Sequence, residues 1–302
     1  MQNLYILKDY INMQKLESIV PIITPFTENK VDKGLAVQHG EDVLKGGMKY
    51  VFLAGSTGLG PSLVESEKLV LLDAFAHVPD NVILQCGSLN LEESTNLARN
   101  AKKYKIHAVA ALPPYYFTGM KREWIIKYYT KISAEYQTII YNYPDTTGYN
   151  ITYDMVNDIK KAGGNVIGIK ETTFNMNDIL NTKMYVPNFS VYTGPDQYIL
   201  SAYRLRLDGY VSGAGNYGYK IIKKIEENYD NNNGDRYQFL LNELSALSRK
   251  YGTMSSIYDM VEIMTGIKSG SPREPFFKLA PEEKGALEKE MNEVFKKYNF
   301  KP

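Results

Sequence analysis

Eight short apolar segments recur along the chain, and a longer segment of helical periodicity follows each of them. Segments that are apolar at every position, without polar alternation, are typical of a parallel sheet covered by helices. Eight β–α units in succession predict a closed (β/α)8 barrel, and a doubly wound open sheet is the alternative. The predicted strands are SIVPIITPF (18–26), YVFLAG (50–55), VILQCG (82–87), AVAALPP (108–114), TIIYNYP (138–144), VIGIKET (166–172), FSVYTG (189–194) and DGYVSGAG (208–215).

The segments between the strands are amphipathic. In EESTNLARNAKKY, Leu97 and Ala101 share one helical face and the basic residues point elsewhere. The strands stop after residue 231, so we predict an α/β barrel as the catalytic domain over 13–231 and C-terminal helices over 232–302. The apolar residues expected to pack these helices on the barrel are Phe239, Leu240, Leu244 and Leu247.

Composition favours a small-molecule partner. The formal net charge of the 302 residues is +1, and no basic run suggests a nucleic-acid groove. No apolar run approaches the roughly 18 residues of a membrane span, and no signal peptide opens the chain. With a single cysteine, these features predict a cytoplasmic protein without nucleic-acid or membrane partners. Residues 1–12 are expected to be a mobile extension, with Met13 as an alternative start.

Metal and thiol chemistry are not indicated. The histidines, His39, His77 and His107, are scattered without the spacing of metal ligands. Cys86 lies in the apolar run VILQCG, with no histidine at a suggestive spacing, and is predicted to be a core residue. We therefore expect no metal site.

The run VIGIKET ends in a lysine, Lys170. An unpaired ammonium group in a low-dielectric interior either finds a partner or loses its proton. One interpretation is that the strand ends there and Lys170 reaches water. The other is that Lys170 is held neutral at neutral pH, as Schiff-base chemistry on a ketone requires.

Other polar residues also fall at strand ends, where the active sites of such barrels lie. The second strand ends in AGSTGLGPS, the fifth in YNYP and the seventh in TGPD. The glycine-rich segment could be a phosphate cradle or a βα turn that needs positive φ, but it lacks the lysine of a P-loop. The convergence of these groups on one barrel mouth favours a functional site.

Four ordered motifs carry a family resemblance: GSTG (55–58), PYY (114–116), YNYP (141–144) with TTG (146–148), and GIKET (168–172). They resemble the dihydrodipicolinate synthase and N-acetylneuraminate lyase family of class I aldolases. The likeness runs from ITPF (23–26) through the C-terminal helices. Within that family, GLGPSL, PPYY and YNYP are most similar to the archaeal 2-keto-3-deoxygluconate aldolases.

The resemblance implies four catalytic residues. Lys170 would form a Schiff base with the C2 ketone of the substrate, so that no metal or organic cofactor is needed. Tyr141 would take the proton of the C4 hydroxyl as the C3–C4 bond breaks. Ser56, where most relatives have threonine, would connect Tyr141 to Tyr116 of the partner subunit. A homotetramer, built as a dimer of dimers, follows from that sharing.

The resemblance also implies a substrate-binding set. Ser56 and Thr57 would hold the pyruvoyl carboxylate near the start of a helix. Asp196 would accept hydrogen bonds from two sugar hydroxyls. The remaining predicted substrate-binding residues are Tyr143, Thr172, Gly194, Val211, Arg249 and Thr253.

Two departures from the family pattern bear on the substrate. Thr146 stands where dihydrodipicolinate synthases carry an arginine for a carboxylate, which argues against a role in lysine biosynthesis. Gly119 stands where some archaeal relatives carry one of two phosphate-binding arginines, and Arg249 matches the other. We therefore expect reversible cleavage of 2-keto-3-deoxygluconate to pyruvate and glyceraldehyde, in preference to its 6-phosphate, although Lys121 or Arg122 could compensate. The alternatives are another pyruvate-dependent lyase, a keto-sugar-acid dehydratase, or a non-enzymatic pyruvate-sensing barrel.

Overall fold

The computed structural model describes residues 15–302. The predictions of an N-terminal extension and of a start at Met13 concern residues outside this range. Within residues 15–302 there are ten strands and twelve α-helices. No helix in this range has the length and apolar character needed to cross a membrane.

Eight parallel strands form a closed barrel. The strands in chain order are β1 (Glu17–Val20), β2 (Phe26–Thr27), β3 (Lys30–Val31), β4 (Tyr50–Leu53), β5 (Val82–Gln85), β6 (Ala108–Ala111), β7 (Thr138–Asn142), β8 (Val166–Glu171), β9 (Ser190–Thr193) and β10 (Gly209–Val211). The barrel runs β1, β10, β9, β8, β7, β6, β5, β4, and β1 also pairs with β4. This closure confirms the predicted (β/α)8 barrel and excludes the doubly wound sheet.

The first strand is shorter than predicted. It ends at Val20, and Phe26, predicted in the same strand, lies in a separate hairpin of β2 and β3. Pro21 follows Val20 directly, and proline has no N–H to donate to a sheet ladder. The apolar run continues beyond Val20 because Ile22 and Ile23 are buried after the chain leaves the barrel.

Helices alternate with the barrel strands. The helices are α1 (Lys33–Lys45), α2 (Glu65–Ala74), α3 (Leu91–Tyr104), α4 (Arg122–Glu135), α5 (Pro144–Thr147), α6 (Tyr153–Lys161), α7 (Met176–Tyr185), α8 (Ile199–Arg204), α9 (Gly215–Asn228), α10 (Asn232–Lys250), α11 (Thr253–Thr265) and α12 (Pro281–Lys297).

Helix α3 illustrates how local sequence sets these boundaries. The Asn90 side chain accepts a hydrogen bond from the Glu92 N–H at 3.0 Å and caps the first turn. Acidic residues occupy that first turn and basic residues the last, as the helix dipole favours. Leu97 and Ala101 are fully buried, which confirms the predicted inward face.

The C-terminal helices pack against one another and on α9. Leu240 and Leu244 are fully buried, and Leu247 packs against the same core. The prediction for Phe239 was wrong, because its side chain is 57% exposed. With 3.6 residues per turn, Phe239 points about 100° away from the face that carries Leu240 and Leu244. The domain division at residue 232 stays a prediction.

The barrel has two separate apolar layers. One fills the barrel interior with Ile19, Phe52, Ile139, Tyr141 and their neighbours. The other lies between the strands and the surrounding helices. Because side chains alternate along a strand, the strand register decides which residues face the interior.

Candidate active site

Lys170 lies on β8 near the C-terminal end of the strand, and its side chain is only 6% exposed. Its Nζ is 3.8 Å from the centroid of the Tyr141 ring and 5.7 Å from that of Phe52. Lys170 forms no salt bridge with any residue in the range 15–302. Burial lowers the pKa of its amine from 10.5 to about 7, and Tyr143 and Asp196 offset only part of that effect. A large fraction of the amine is therefore neutral and nucleophilic near neutral pH.

Tyr141 lies next to Lys170 on the neighbouring barrel strand. The two residues are in register between β7 and β8. The Tyr141 hydroxyl is 3.1 Å from Ser56 Oγ. Burial raises the pKa of Tyr141 to about 12, so its hydroxyl is protonated at rest. To accept a proton from a substrate, this hydroxyl must give up the proton that it already carries. Ser56 Oγ is within hydrogen-bonding distance to receive that proton.

The Ser56 loop is glycine-rich for reasons of packing. A Cβ at Gly58 would lie 2.7 Å from the Ile22 carbonyl oxygen, and one at Gly60 would overlap the Ala54 carbonyl. The positive φ angles of this segment belong to Ala54 (54°) and Leu59 (55°), so the glycines are not the residues that supply them. The expected helix start at Ser56 and Thr57 is also not found, because α2 begins only at Glu65, after the short 3₁₀ turn Gly60–Ser62.

A cavity of about 190 Å³, called the distal cavity below, adjoins the site through Asp196, which lines it and interacts electrostatically with Lys170. Four predicted substrate-binding residues line it: Thr57, Asp196, Arg249 and Thr253. Asp196 accepts hydrogen bonds from Ser212 Oγ at 2.6 Å and from the Ala214 N–H at 3.3 Å. Burial raises the pKa of Asp196, and these hydrogen bonds counteract the rise. A carboxylate has about four acceptor positions, so the Asp196 oxygens can still accept from a ligand.

Thr172 directly follows β8, and its N–H donates to the Asn142 carbonyl at 2.8 Å, so the extended backbone places it on the same side as Lys170, two residues earlier. Its Oγ1 is buried, and the group that it interacts with is the Tyr141 hydroxyl. A Cβ at Gly194 would lie only 2.5 Å from that oxygen, so any other residue there would collide with Thr172. Thr172 thus places a second hydroxyl beside Tyr141, in addition to that of Ser56.

Tyr143 and Val211 complete the predicted set. The Tyr143 ring is nearly parallel to that of Tyr141, with centroids 6.1 Å apart. Val211 is buried in the same interior layer as Tyr141. Tyr116 is the predicted residue that this chain does not bring into its own site. Its side chain is 80% exposed, its φ is 70° and its ring packs on Phe117.

Known proteins are similar to this chain in both sequence and fold. The profile of the Dihydrodipicolinate synthetase family matches residues 14–294. The chain belongs to this family. The resemblance inferred from the motifs is thereby confirmed.

Archaeal aldolases are among the similar members of the Dihydrodipicolinate synthetase family. A "2-dehydro-3-deoxy-phosphogluconate/2-dehydro-3-deoxy-6-phosphogalactonate aldolase" of Sulfurisphaera tokodaii is 35% identical, over 93% of this chain and 98% of its own. A "2-dehydro-3-deoxy-D-gluconate/2-dehydro-3-deoxy-phosphogluconate aldolase" of Thermoproteus tenax is 34% identical, over 90% and 89%. The crystal structure of KD(P)GA from T. tenax covers 93% of this chain and 100% of its own, at 33% identity and a TM-score of 0.89. The 2-keto-3-deoxygluconate aldolase of "Sulfolobus sulfataricus" in complex with D-KDPG also has a TM-score of 0.89, at 34% identity, covering 93% of this chain and 97% of its own.

The predicted core role of Cys86 agrees with the structure of this family member. The thiol is fully buried, and burial raises its pKa to about 12, which makes it a poor nucleophile. His39 is buried against Asn216, His77 contacts Glu41 at the surface and His107 stacks on Tyr50. In residues 15–302 no group of histidine, cysteine and acidic side chains is arranged to hold a metal ion.

Sequence reasoning missed the pair Asn142–Glu171. Each follows a predicted catalytic residue, so alternation turns both away from the barrel interior. Asn142 Nδ2 donates to Glu171 Oε2 at 2.7 Å, and both side chains are buried. Burial raises the pKa of Glu171 to about 7. The pair links β7 to β8 directly behind Tyr141 and Lys170. The signal that could have found it was a polar residue after each of two apolar runs.

The first expected result concerns pH. Imine formation on Lys170 requires the neutral amine, so the initial rate of trapping with pyruvate and cyanoborohydride should rise with pH around a midpoint near 7. Mass spectrometry of the intact chain measures the adduct, and a lysine peptide with an ordinary pKa of about 10.4 is the reference. If the trapping rate rose over the same pH range for the protein and the peptide, burial would not lower the Lys170 pKa.

Proposed function

We propose that this protein is a Schiff-base aldolase that cleaves 2-keto-3-deoxygluconate reversibly to pyruvate and glyceraldehyde. The single observation that carries the proposal is the buried amine of Lys170, which lies against the Tyr141 ring with its pKa lowered to about 7. A covalent lysine imine supplies the electron sink, so no metal or organic cofactor takes part. The names of the archaeal relatives support the substrate class.

The reaction begins with attack of Lys170 Nζ on the C2 carbonyl. The carbonyl oxygen leaves as water, and the product is a protonated imine. Hydroxyl and N–H groups of Ser56 and Thr57 hold the neighbouring carboxylate. The Thr172 hydroxyl, which lies beside the Tyr141 hydroxyl, hydrogen-bonds a substrate hydroxyl.

Carbon–carbon cleavage follows. Tyr141 accepts the proton of the C4 hydroxyl while passing its own proton to Ser56, 3.1 Å away, and Ser56 in turn releases its hydroxyl proton to solvent. The electrons of the C3–C4 bond move into the imine and form an enamine, and glyceraldehyde leaves. Protonation of C3 and hydrolysis of the imine release pyruvate and restore Lys170. A dehydratase would instead eliminate water from the sugar acid, and product analysis distinguishes the two.

We expect the enzyme to prefer the unphosphorylated sugar acid. Arg249 is exposed at the distal cavity and forms no ion pair with any described residue. Arg122 is held by Asp154 and Asp158, at 2.8 and 2.7 Å, and so is not free to replace the missing arginine. Lys121 lies over the Trp124 ring. One lost charge-assisted contact of ~1.5–3 kcal/mol corresponds to a roughly ten- to hundredfold lower kcat/KM for the 6-phosphate.

Cleavage assays with both sugar acids measure this preference. Gly119→Arg should reduce the difference in kcat/KM between the two sugar acids, mainly by lowering KM for the 6-phosphate. Space is available, since nothing lies within 4 Å of a Cβ at Gly119. Its φ of 81° will cost about 1–2 kcal/mol of stability in the variant. Wild-type preference for the phosphate would show that Lys121 or another cation completes the phosphate site.

We also propose a homotetramer, a dimer of dimers, in which Tyr116 of the partner subunit completes the proton relay. Tyr116 and Phe117 are exposed beside an apolar cavity of about 410 Å³ that Phe117, Met120 and Trp124 help to line. Large exposed apolar surfaces of this kind suit a protein interface.

A mixed-subunit experiment tests the sharing of Tyr116. Lys170→Ala and Tyr116→Ala chains should each have little or no activity alone, whereas a mixed dimer should contain one complete site. Random mixing should therefore restore about a quarter of wild-type activity, because half of the dimers are mixed. Sedimentation at assay concentration gives the oligomer size. No recovery on mixing, or an active monomer, would refute the shared site.

A further inference from the structure

The distal cavity has lining residues to which the proposed mechanism gives no role. Besides Asp196, Arg249 and Thr253, the cavity is lined by Tyr217, Ser245 and Ser248. Tyr217 lies in the first turn of α9 and Ser245 on α10, two helices that pack against each other. The Ser248 hydroxyl already has a partner, because it lies 3.1 Å from Ser256 Oγ. Tyr217 and Ser245 are therefore the candidates for ligand binding.

The hydroxyls of Tyr217 and Ser245 form only a long hydrogen bond with each other. They are 3.4 Å apart, longer than the 2.7–2.8 Å typical of an O–H···O hydrogen bond. Neither hydroxyl has another hydrogen-bond partner among the described residues, although both side chains are at least 95% buried. Burial raises the pKa of the Tyr217 phenol, so its hydroxyl stays protonated and can donate. The two hydroxyls together offer a hydrogen-bond donor and an acceptor to a hydroxyl group of a ligand.

The position of Tyr217 is fixed by the segment around it. Asn216, the preceding residue, donates to the carbonyls of Pro21 and Gly213 and accepts from the Ile23 N–H. A Cβ at Gly218 would lie 2.8 Å from Leu241 Cδ1, so glycine allows α9 and α10 to approach closely at this level. A rigidly held pair of hydroxyls loses little entropy when it binds a ligand.

We propose that Tyr217 and Ser245 bind a hydroxyl group of the aldehyde half of the substrate and thereby select polyhydroxylated aldehydes over alkyl aldehydes. The inference rests on the proposed aldolase function. In that function Lys170, Ser56 and Thr57 hold the pyruvate half, so the cavity beyond Thr57 receives the other half. A buried site that hydrogen-bonds a substrate hydroxyl rejects analogues that lack it, because its own polar groups are then left unpaired.

The condensation of pyruvate with two aldehydes tests this selection. Tyr217→Phe and Ser245→Ala should each lower kcat/KM for glyceraldehyde about tenfold, mainly through KM for the aldehyde. With propionaldehyde, which has no hydroxyl group, both variants should stay within about twofold of wild type. Tyr219→Phe is the matched control, because its hydroxyl on the same helix donates to Asp42 and not into the cavity. That control should be unchanged with both aldehydes.

Trapping of pyruvate on Lys170 separates this inference from the proposed function. Absence of a trapped adduct in the wild type would overturn the aldolase mechanism itself. A normal adduct, together with equal losses for both aldehydes or no loss for either, would overturn only the role of Tyr217 and Ser245. If one variant fails to fold, as judged by its melting curve, the other still decides the matter.

Discussion

Lys170→Met is expected to lower kcat/KM for 2-keto-3-deoxygluconate cleavage by about 10⁴-fold or more, since it removes the only group proposed to form the covalent intermediate. The same change should abolish the mass increment left by pyruvate and borohydride. Peptide mapping of the wild-type adduct should place it on Lys170. A chelator should change neither trapping nor turnover, because the imine replaces a metal as the electron sink.

The matched control for this prediction is Lys161→Met, which removes an exposed lysine whose nearest carboxylate, on Asp158, is 3.8 Å away. Its activity should equal that of the wild type. An adduct on another lysine, or substantial turnover by Lys170→Met, would refute the mechanism.

The inactive Lys170→Met variant should also be the more stable protein near neutral pH. The folded-state pKa of about 7 lies below the unfolded value of 10.5, so the unfolded chain binds more protons between those pH values. Wild-type stability therefore falls as the pH drops from 10.5 to 7, and the full penalty is present below 7. The difference in melting temperature between variant and wild type should be larger at pH 6 than at pH 9.

Tyr141→Phe is expected to reduce kcat for cleavage by about 10²- to 10⁴-fold, the usual range for loss of a general base. The ring that contacts Lys170 is retained, so trapping with pyruvate should persist. Ser56→Ala should give a smaller loss of the same kind, because it interrupts the relay without removing its first member. Stopped-flow measurement of pyruvate release, together with trapping, separates the two steps.

Tyr104→Phe serves as the control for Tyr141→Phe, because its hydroxyl binds Asp73 at the protein surface. That variant should keep full activity. If Tyr141→Phe retained cleavage within about tenfold of wild type, another group would have to accept the C4 proton.

The barrel could be predicted because apolar runs and amphipathic segments are local patterns. All eight predicted runs overlap a barrel strand, and the error at the first arose where Pro21 ends the ladder although burial continues. Lys170 and Tyr141 were identifiable because each ends an apolar run and matches a family motif. The pair Asn142–Glu171 depends on the register between two strands, which single-strand patterns do not contain. The contact of Tyr217 with Ser245 depends on how two helices pack, and no periodicity within either helix indicates it.

The crowding around Gly194 has a consequence for anyone who wishes to broaden the range of acceptor aldehydes by mutagenesis. A side chain at that position would collide with Thr172, so codon randomisation there would yield mostly misfolded or inert clones. Gly213, on the cavity wall, is different, because a Cβ would meet nothing closer than Thr57 Oγ1 at 3.5 Å, an ordinary van der Waals distance. Of the two glycines, only Gly213 is suitable for a focused library that reshapes the acceptor pocket.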